Sequence, residues 1–142
     1  MKRRRVFRAL TIFWMLFIWL QSVLSAALSS MESGFLLALV QHIFPWVTEY
    51  MLRKAAHFTE YAILGALLFG AMRAEGRPRL GAFQTALGLL TAMADETIQL
   101  FSAGRSGQIT DVWIDFAGVV TGALLLLAFY AVYRRTKRFN RK

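Results

Sequence analysis

The chain contains no cysteine. Disulfides, thiolate metal sites and cysteine nucleophiles are therefore excluded together, while the redox compartment stays open. Charge is scarce too: 18% of the 142 residues are charged against 57% hydrophobic, and the mean hydropathy is +0.47. That leaves too little polar surface for a soluble domain of this size, so the chain belongs in a bilayer. Acid is scarcer than base, with eight Asp and Glu against seventeen Lys and Arg and a formal charge of +9. An excess of this kind fits nucleic acid, but its placement does not. The basic residues cluster directly beside apolar stretches: Lys2, Arg3, Arg4, Arg5 and Arg8, then Arg73, Arg77 and Arg79, then Arg134, Arg135, Lys137, Arg138, Arg141 and Lys142. Membrane topology alone demands such flanks, and no nucleic-acid partner is expected. No internal repeat or low-complexity segment is visible, and one domain over residues 1–142 is expected.

Four stretches approach the ~20 apolar residues that cross a bilayer core: residues 9–28, 57–72, 80–101 and 112–133. The second is short, and extending its helix back to about Val47 gives it length. The expected fold is an all-α membrane protein with four transmembrane helices. Placing the basic clusters inside puts both termini in the cytoplasm. All but three of the seventeen Lys and Arg residues (Arg53, Lys54 and Arg105) are then inside, and every one of the eight acids except Glu75 lies at or near the outer face. The basic start, the apolar run and Ser25-Ala26-Ala27 also resemble a secretory signal with a small-residue cleavage site, but the run from Ala9 to Leu28 exceeds a typical signal core and favours a retained span. Residues 35–44 are too short to cross and Pro45 ends them, so they read as an interfacial or re-entrant helix after the first span, with Trp46 and Tyr50 as interface anchors. His42 reads as interfacial. Residues 73–79 form a tight cytoplasmic turn and residues 102–110 an outer loop.

The outer ionisable residues follow helical periodicity. Asp111, Asp115, Gly118 and Gly122 are spaced 4, 3, 4, so two carboxylates share a face with a Gly-x-x-x-Gly packing surface. Gly88, Ala92, Asp95 and Gln99 repeat the spacing on the third span, and both faces should turn into the bundle. On the second span Arg53, His57 and Glu60 stack on one face, while Ala66 and Gly70 form a small-residue pair out of line with them. Asp95 and Asp115 should sit roughly 5–9 Å below the outer boundary, at ~1.5 Å per residue. Gln21, Ser22 and Ser25 add polar groups in the outer half of the first span.

Ionisable groups at such depth are costly and mark function by default. Two readings remain. Glu60, Asp95, Glu96, Asp111 and Asp115 face Arg53, Lys54, Arg105 and, when protonated, His57; that near-balance lets the network neutralise itself as structural glue, and it weakens the case for a metal. None is expected. Asp111 opens a helix and serves equally well as an N-cap. In the functional reading His57, Glu60, Asp95, Glu96 and Asp115 form a catalytic set, with His57 the group poised for proton transfer near neutral pH. Arg53, Lys54, Gln99, Arg105 and Asp111 would bind substrate, and Arg105, between glycines, suits an anion.

The runs Arg53-Lys54-x-x-His57-Phe58-x-Glu60-Tyr61, Asp95-Glu96-x-x-Gln99-x-Phe101-x-x-Gly104-Arg105 and Asp111-x-x-x-Asp115-x-x-Gly118-x-x-x-Gly122 resemble the VanZ-like family of small bacterial membrane proteins, over roughly residues 50–125. The chain departs from that pattern at Asp115, where many relatives are expected to carry Asn, and at Ala103, where a Pro is expected before the Gly-Arg pair. The resemblance implies a multi-pass protein of the bacterial cell membrane in a family named for reduced susceptibility to the glycopeptide teicoplanin, and supplies no biochemical activity or cofactor. Resistance to a cell-wall drug fits an outward-facing site for a membrane lipid or lipid-linked envelope molecule. The alternative is a non-catalytic binding or interaction protein. A transporter would need an oligomer, because the inner half offers no polar path.

Overall fold

A computed structural model describes residues 2–23, 26–76, 81–103, 105 and 107–139, with backbone alone at 26–33 and 138–139. Ser25 of the small-residue triplet, Gly104 of the Gly-Arg pair, Arg77, Pro78 and Arg79 of the basic turn, and Arg141 and Lys142 lie outside the described residues, as do the side chains of Glu32 and Arg138. Five helices follow one another: α1 (Lys2–Val23), α2 (Ala26–Ile43), α3 (Glu49–Ala74), α4 (Ala82–Phe101) and α5 (Ile109–Phe139).

The chain is an all-helical membrane protein. Among the described residues, three helices are long and apolar enough to cross a membrane: Lys2–Val23, Glu49–Ala74 and Ile109–Lys137. With 20 residues, α4 has the length, but it buries Asp95, Glu96 and Gln99 and does not fall among the helices that hydropathy marks as spans. It packs beside the other three and completes a bundle of four. Large apolar side chains such as Leu16, Leu20, Phe83, Leu90, Leu125 and Phe129 face outward, an arrangement that lipid stabilises and water would not.

One boundary differs from expectation. The described part of the first span runs to Val23, and helical backbone is present again from Ala26, well before residue 35. Ser29, Ser30, Glu32 and Ser33 interrupt the hydropathy there, yet none forbids helical backbone, so α2 gains an N-terminal half that hydropathy alone does not reveal. Among the described residues, Gly34–Ile43 is a short apolar stretch. The second span does extend backwards, because the Thr48 side chain accepts a hydrogen bond from the Met51 amide and caps α3.

Direction follows from the contacts. Arg8 donates to Glu75 through Nε at 2.9 Å, and Trp14 Nε1 donates to the Glu60 carbonyl at 2.8 Å, so α1 and α3 are antiparallel. Trp19 Nε1 donates to the Thr91 carbonyl at 3.3 Å, which ties α1 to a parallel α4. The most extensive pairing is between α3 and α5, which run parallel. It rests on interleaved glycines. A Cβ added at Gly118 would stand 2.5 Å from the Phe58 carbonyl oxygen; one at Gly122 would strike Ala62 O, and one at Gly65 would strike Val119 O. Gly88 of α4 admits Val119 from the other side, 2.6 Å from where its own Cβ would be. The core around these contacts comprises Ile18, Tyr61, Leu64, Leu68, Ala92 and Val119. Small residues allow this approach, and backbone-to-backbone packing takes the place of the hydrophobic drive that lipid removes.

Candidate functional site

The close α3–α5 pairing and the Gly88 contact bring the polar faces of α3, α4 and α5 together at one end of the bundle. Asp95 and Asp115 have side chains with no exposure, and that of His57 is 12% exposed. His57 Nδ1 lies 3.6 Å from Asp115 Oδ1 and 3.9 Å from Asp95 Oδ2. One donor atom from each of His57, Asp95, Glu96 and Asp115 falls within 4.8 Å of all the others. The periodicity of the two small-residue faces produces this: Gly88, Ala92, Asp95 and Gln99 are all buried on α4, and Asp111, Asp115, Gly118 and Gly122 are all buried on α5.

Hydrogen bonds position part of the set. Ser22 Oγ of α1 donates to Asp95 Oδ1. Ser102 Oγ reaches the Ser22 carbonyl at 2.6 Å, joining the end of α4 to the end of α1. The Gln108 amide donates to Glu96 Oε2 at 2.7 Å, and Gln99 Nε2 approaches Glu96 Oε1 at 3.4 Å. Gly107 allows the loop to fold this tightly, since a Cβ there would stand 2.5 Å from the Glu96 carbonyl oxygen. Other atoms lack protein partners: His57 Nδ1 and both carboxylate oxygens of Asp115 are buried without a hydrogen bond, while the Tyr61 hydroxyl and the Asp95 carboxylate, buried beside each other, interact only loosely. Buried polar atoms are almost always satisfied, and the exceptions call for an explanation.

The bases are arranged differently from a simple count. Lys54 pairs with Asp111, both side chains largely buried, and its ammonium also lies over the Tyr50 ring at 4.9 Å. Arg53 turns back one helical turn to Glu49 at 3.1 Å and is half exposed, so its guanidinium pairs at the rim rather than with Glu60. Asp111 does not cap α5. The helix starts two residues earlier, at Ile109, and the Asp111 amide donates to the Gln108 carbonyl at 2.9 Å, leaving the carboxylate free to bind Lys54. Two pairs therefore close on themselves at the rim. Behind them, Glu60, Asp95, Glu96 and Asp115 form no ion pair with a Lys or Arg within 4 Å among the described residues.

Arg105 is the nearby cation left over. It sits in the α4–α5 loop, its amide donates to the Ser102 carbonyl at 3.1 Å, and it feels Asp95, Glu60 and Glu96 as attractive charges. Burial, and then the charge of Arg53, pull its pKa below the ordinary guanidinium value; an arginine keeps its proton even so.

Glu60 stands on the face of His57, but the imidazole's nearest carboxylates are Asp95 and Asp115. Gln99 contacts Glu96. Two contributors escaped the residue patterns. Gly65 is the glycine of α3 that meets α5, where Ala66 and Gly70 seemed the small-residue pair; Gly70 instead faces Phe7 of α1. The spacing of Ala62 and Gly65 was the available signal. Tyr61, fully buried beside the cluster, stands at the end of the first motif run, which assigns it no role in the site.

No curated protein and no solved structure matches the chain. The VanZ/LLP1 family model matches residues 7–130, extending past the motifs into α1 and most of α5. That is most of the chain, including every helix that builds the site: the protein belongs to the VanZ/LLP1 family.

Proposed function

We propose that the His57 end of the bundle faces the outside of a bacterial cell membrane, with both termini in the cytoplasm, and that it acts on or binds a lipid or lipid-linked envelope molecule in the outer leaflet. The orientation is supported by the basic residues at the opposite end, where Arg4 and Arg8 meet the end of α3. One observation carries the functional reading. Buried carboxylates of Asp95 and Asp115 flank His57 with oxygens that no protein group satisfies. A purely structural cluster would be expected to satisfy itself, as Lys54–Asp111 and Arg53–Glu49 do.

His57, between two carboxylates, is the group for proton transfer, and Asp95, Asp115 and Glu96 orient it or activate a nucleophile. Glu60 adds a carboxylate on the same face. Arg105 holds an anionic head group. Such a site accounts for the teicoplanin susceptibility that gives the family its name if its substrate is a precursor or lipid that the drug meets at the cell surface.

The test compares lipids and cell-wall precursors, by mass spectrometry, in cells carrying the wild type, His57→Ala, Asp115→Asn or Glu96→Gln. A product that disappears in the variants at unchanged membrane level supports the enzyme. Saturable binding of a labelled lipid with no altered product supports a non-catalytic binding protein. Loss of the variants from the membrane returns the cluster to structural glue.

A further inference from the structure

We infer that His57 Nδ1 and carboxylate oxygens of Asp95, Glu96 and Asp115 form a binding site for one divalent transition-metal ion of the Mn²⁺ or Zn²⁺ class. The inference deepens the proposed function by giving that site a cofactor, but it stands on coordination geometry rather than on any substrate. Separation is the first argument. His57 Nδ1 is 3.6 and 3.9 Å from its two carboxylate oxygens, beyond the ~2.7–3.2 Å of an N–H···O bond. Two ligands held ~2.0–2.2 Å from a common ion stand roughly 3 to 4.4 Å apart, and both separations fall in that interval. The four donors lie within 4.8 Å of one another, so an opposed pair needs at most about 0.4 Å of inward movement and a tetrahedral pair at most about 1.2 Å to meet ligand separations for such an ion.

Satisfaction is the second argument. Asp115 is fully buried, both its oxygens lack a hydrogen bond, and one of them is aimed at the cluster centre beside His57. Asp95 divides its work: Oδ1 accepts from Ser22, while Oδ2, on the His57 side, has no hydrogen bond. That division is how an outer hydrogen bond orients a ligating carboxylate. The buried Tyr61 hydroxyl, which interacts with the Asp95 carboxylate, supplies a further polar group on α3.

Charge is the third. Lys54 and Arg53 are engaged by Asp111 and Glu49, so among the described residues Glu60, Asp95, Glu96 and Asp115 are left with Arg105 as their unpaired neighbouring cation. A dication with Arg105 offsets three of these four negative charges, a large part of the excess. The donor set of one imidazole and three carboxylates, without thiolate, suits Mn²⁺, Fe²⁺ or Zn²⁺ better than Cu⁺.

The full chain, purified in detergent after chelation and desalting, is titrated with Mn²⁺ alone by paramagnetic resonance and calorimetry, and then with Zn²⁺ as competitor. The expected result is one saturable ion per chain, displaced by Zn²⁺ and weakened at least tenfold in His57→Ala and Asp95→Asn. Glu75→Gln, at the opposite end of the bundle, should bind as the wild type does. Wild-type stoichiometry decides the matter even where a variant fails to fold: no saturable site, or a site untouched in both well-folded variants, overturns the inference. Metal bound with neither lipid binding nor any lipid or precursor change would keep the ion site and remove the proposed function, whereas lipid binding or a changed product without metal binding would do the reverse.

Discussion

Gly122 of α5 presses its Cα against the Ala62 carbonyl of α3, closer than any side chain would permit. A methyl group there meets backbone, which cannot swing aside as a flexible side chain can. Gly122→Ala should therefore cost about 1–3 kcal/mol through overpacking, and Gly118→Val more, because it also meets Tyr61 and the Ala62 amide. Thermal unfolding of the detergent-solubilised protein should register both as lower midpoints. Gly34→Ala, inside α2 with nothing within 4 Å of the new methyl, should not lower the midpoint and should raise it slightly, since alanine favours helix.

Lys54 and Asp111 join α3 to α5 at the rim, with side chains only 14% and 12% exposed. Removing one partner strands a mostly buried charge, at a cost of ~3–5 kcal/mol when burial is complete and less here because some solvent reaches both groups. Lys54→Met and Asp111→Leu should each lower the unfolding midpoint, and the double substitution should recover a good part of the loss. Additive losses in the double-mutant cycle would show the pair to be uncoupled.

Ser22 is the α1 group that holds Asp95. As a positioning residue, it should matter to the site more than to the fold. Ser22→Ala leaves a buried carboxylate oxygen without its donor, a loss of roughly 1–3 kcal/mol or about 5–150-fold in whatever affinity depends on Asp95. Mn²⁺ affinity should fall while membrane level holds, and Ser22→Thr, which restores a hydroxyl, should recover most of it. An unchanged affinity in Ser22→Ala would make the hydrogen bond incidental.

Arg105 offers a charge test of head-group binding. Arg105→Gln should weaken capture of a phosphate-bearing lipid about tenfold, as expected for one lost charge-assisted contact worth ~1.4 kcal/mol, and leave an uncharged diacylglycerol unaffected. Flotation with vesicles containing labelled lipid of each kind measures the difference. Arg105→Lys should fall between the two, since lysine keeps the charge but not the planar fork.

The parts of this architecture set by one-dimensional periodicity were legible in the sequence. The 4, 3, 4 spacings on α4 and α5 identified faces that are buried throughout, because helical geometry fixes which residues share a face. Pairing was not legible. A count of acids and bases near one membrane face comes close to neutral, yet Lys54 selects Asp111 and Arg53 selects Glu49, which strips the inner carboxylates of two of their supposed counterions. His57 and Glu60 share a helical face, but Asp95 and Asp115, contributed by other helices, end up at the imidazole. Such choices depend on helix separation, which Gly65, Gly118, Gly122 and Gly88 set through three-dimensional packing. The first half of α2 was hidden for a different reason: serines and a glutamate lower hydropathy without opposing helix.

The modest apolarity of α4 bears on how the protein is made. Alone among the four bundle helices it falls outside those long and apolar enough to cross a membrane, and a charged residue at a helix centre costs ~2.5–3.5 kcal/mol on insertion scales. Asp95 and Glu96 thus make α4 a weak passenger at the translocon, and its final position depends on neighbours synthesised before and after it. The waiting partners are Trp19 and Ser22 of α1, with His57 of α3; Val119, which fits Gly88, arrives only with α5. A chain truncated after Phe101 should leave α4 at the membrane surface in a glycosylation-reporter assay, while the chain carried through α5 should draw it across. The residues that give the site its chemistry would then also time the last step of its assembly.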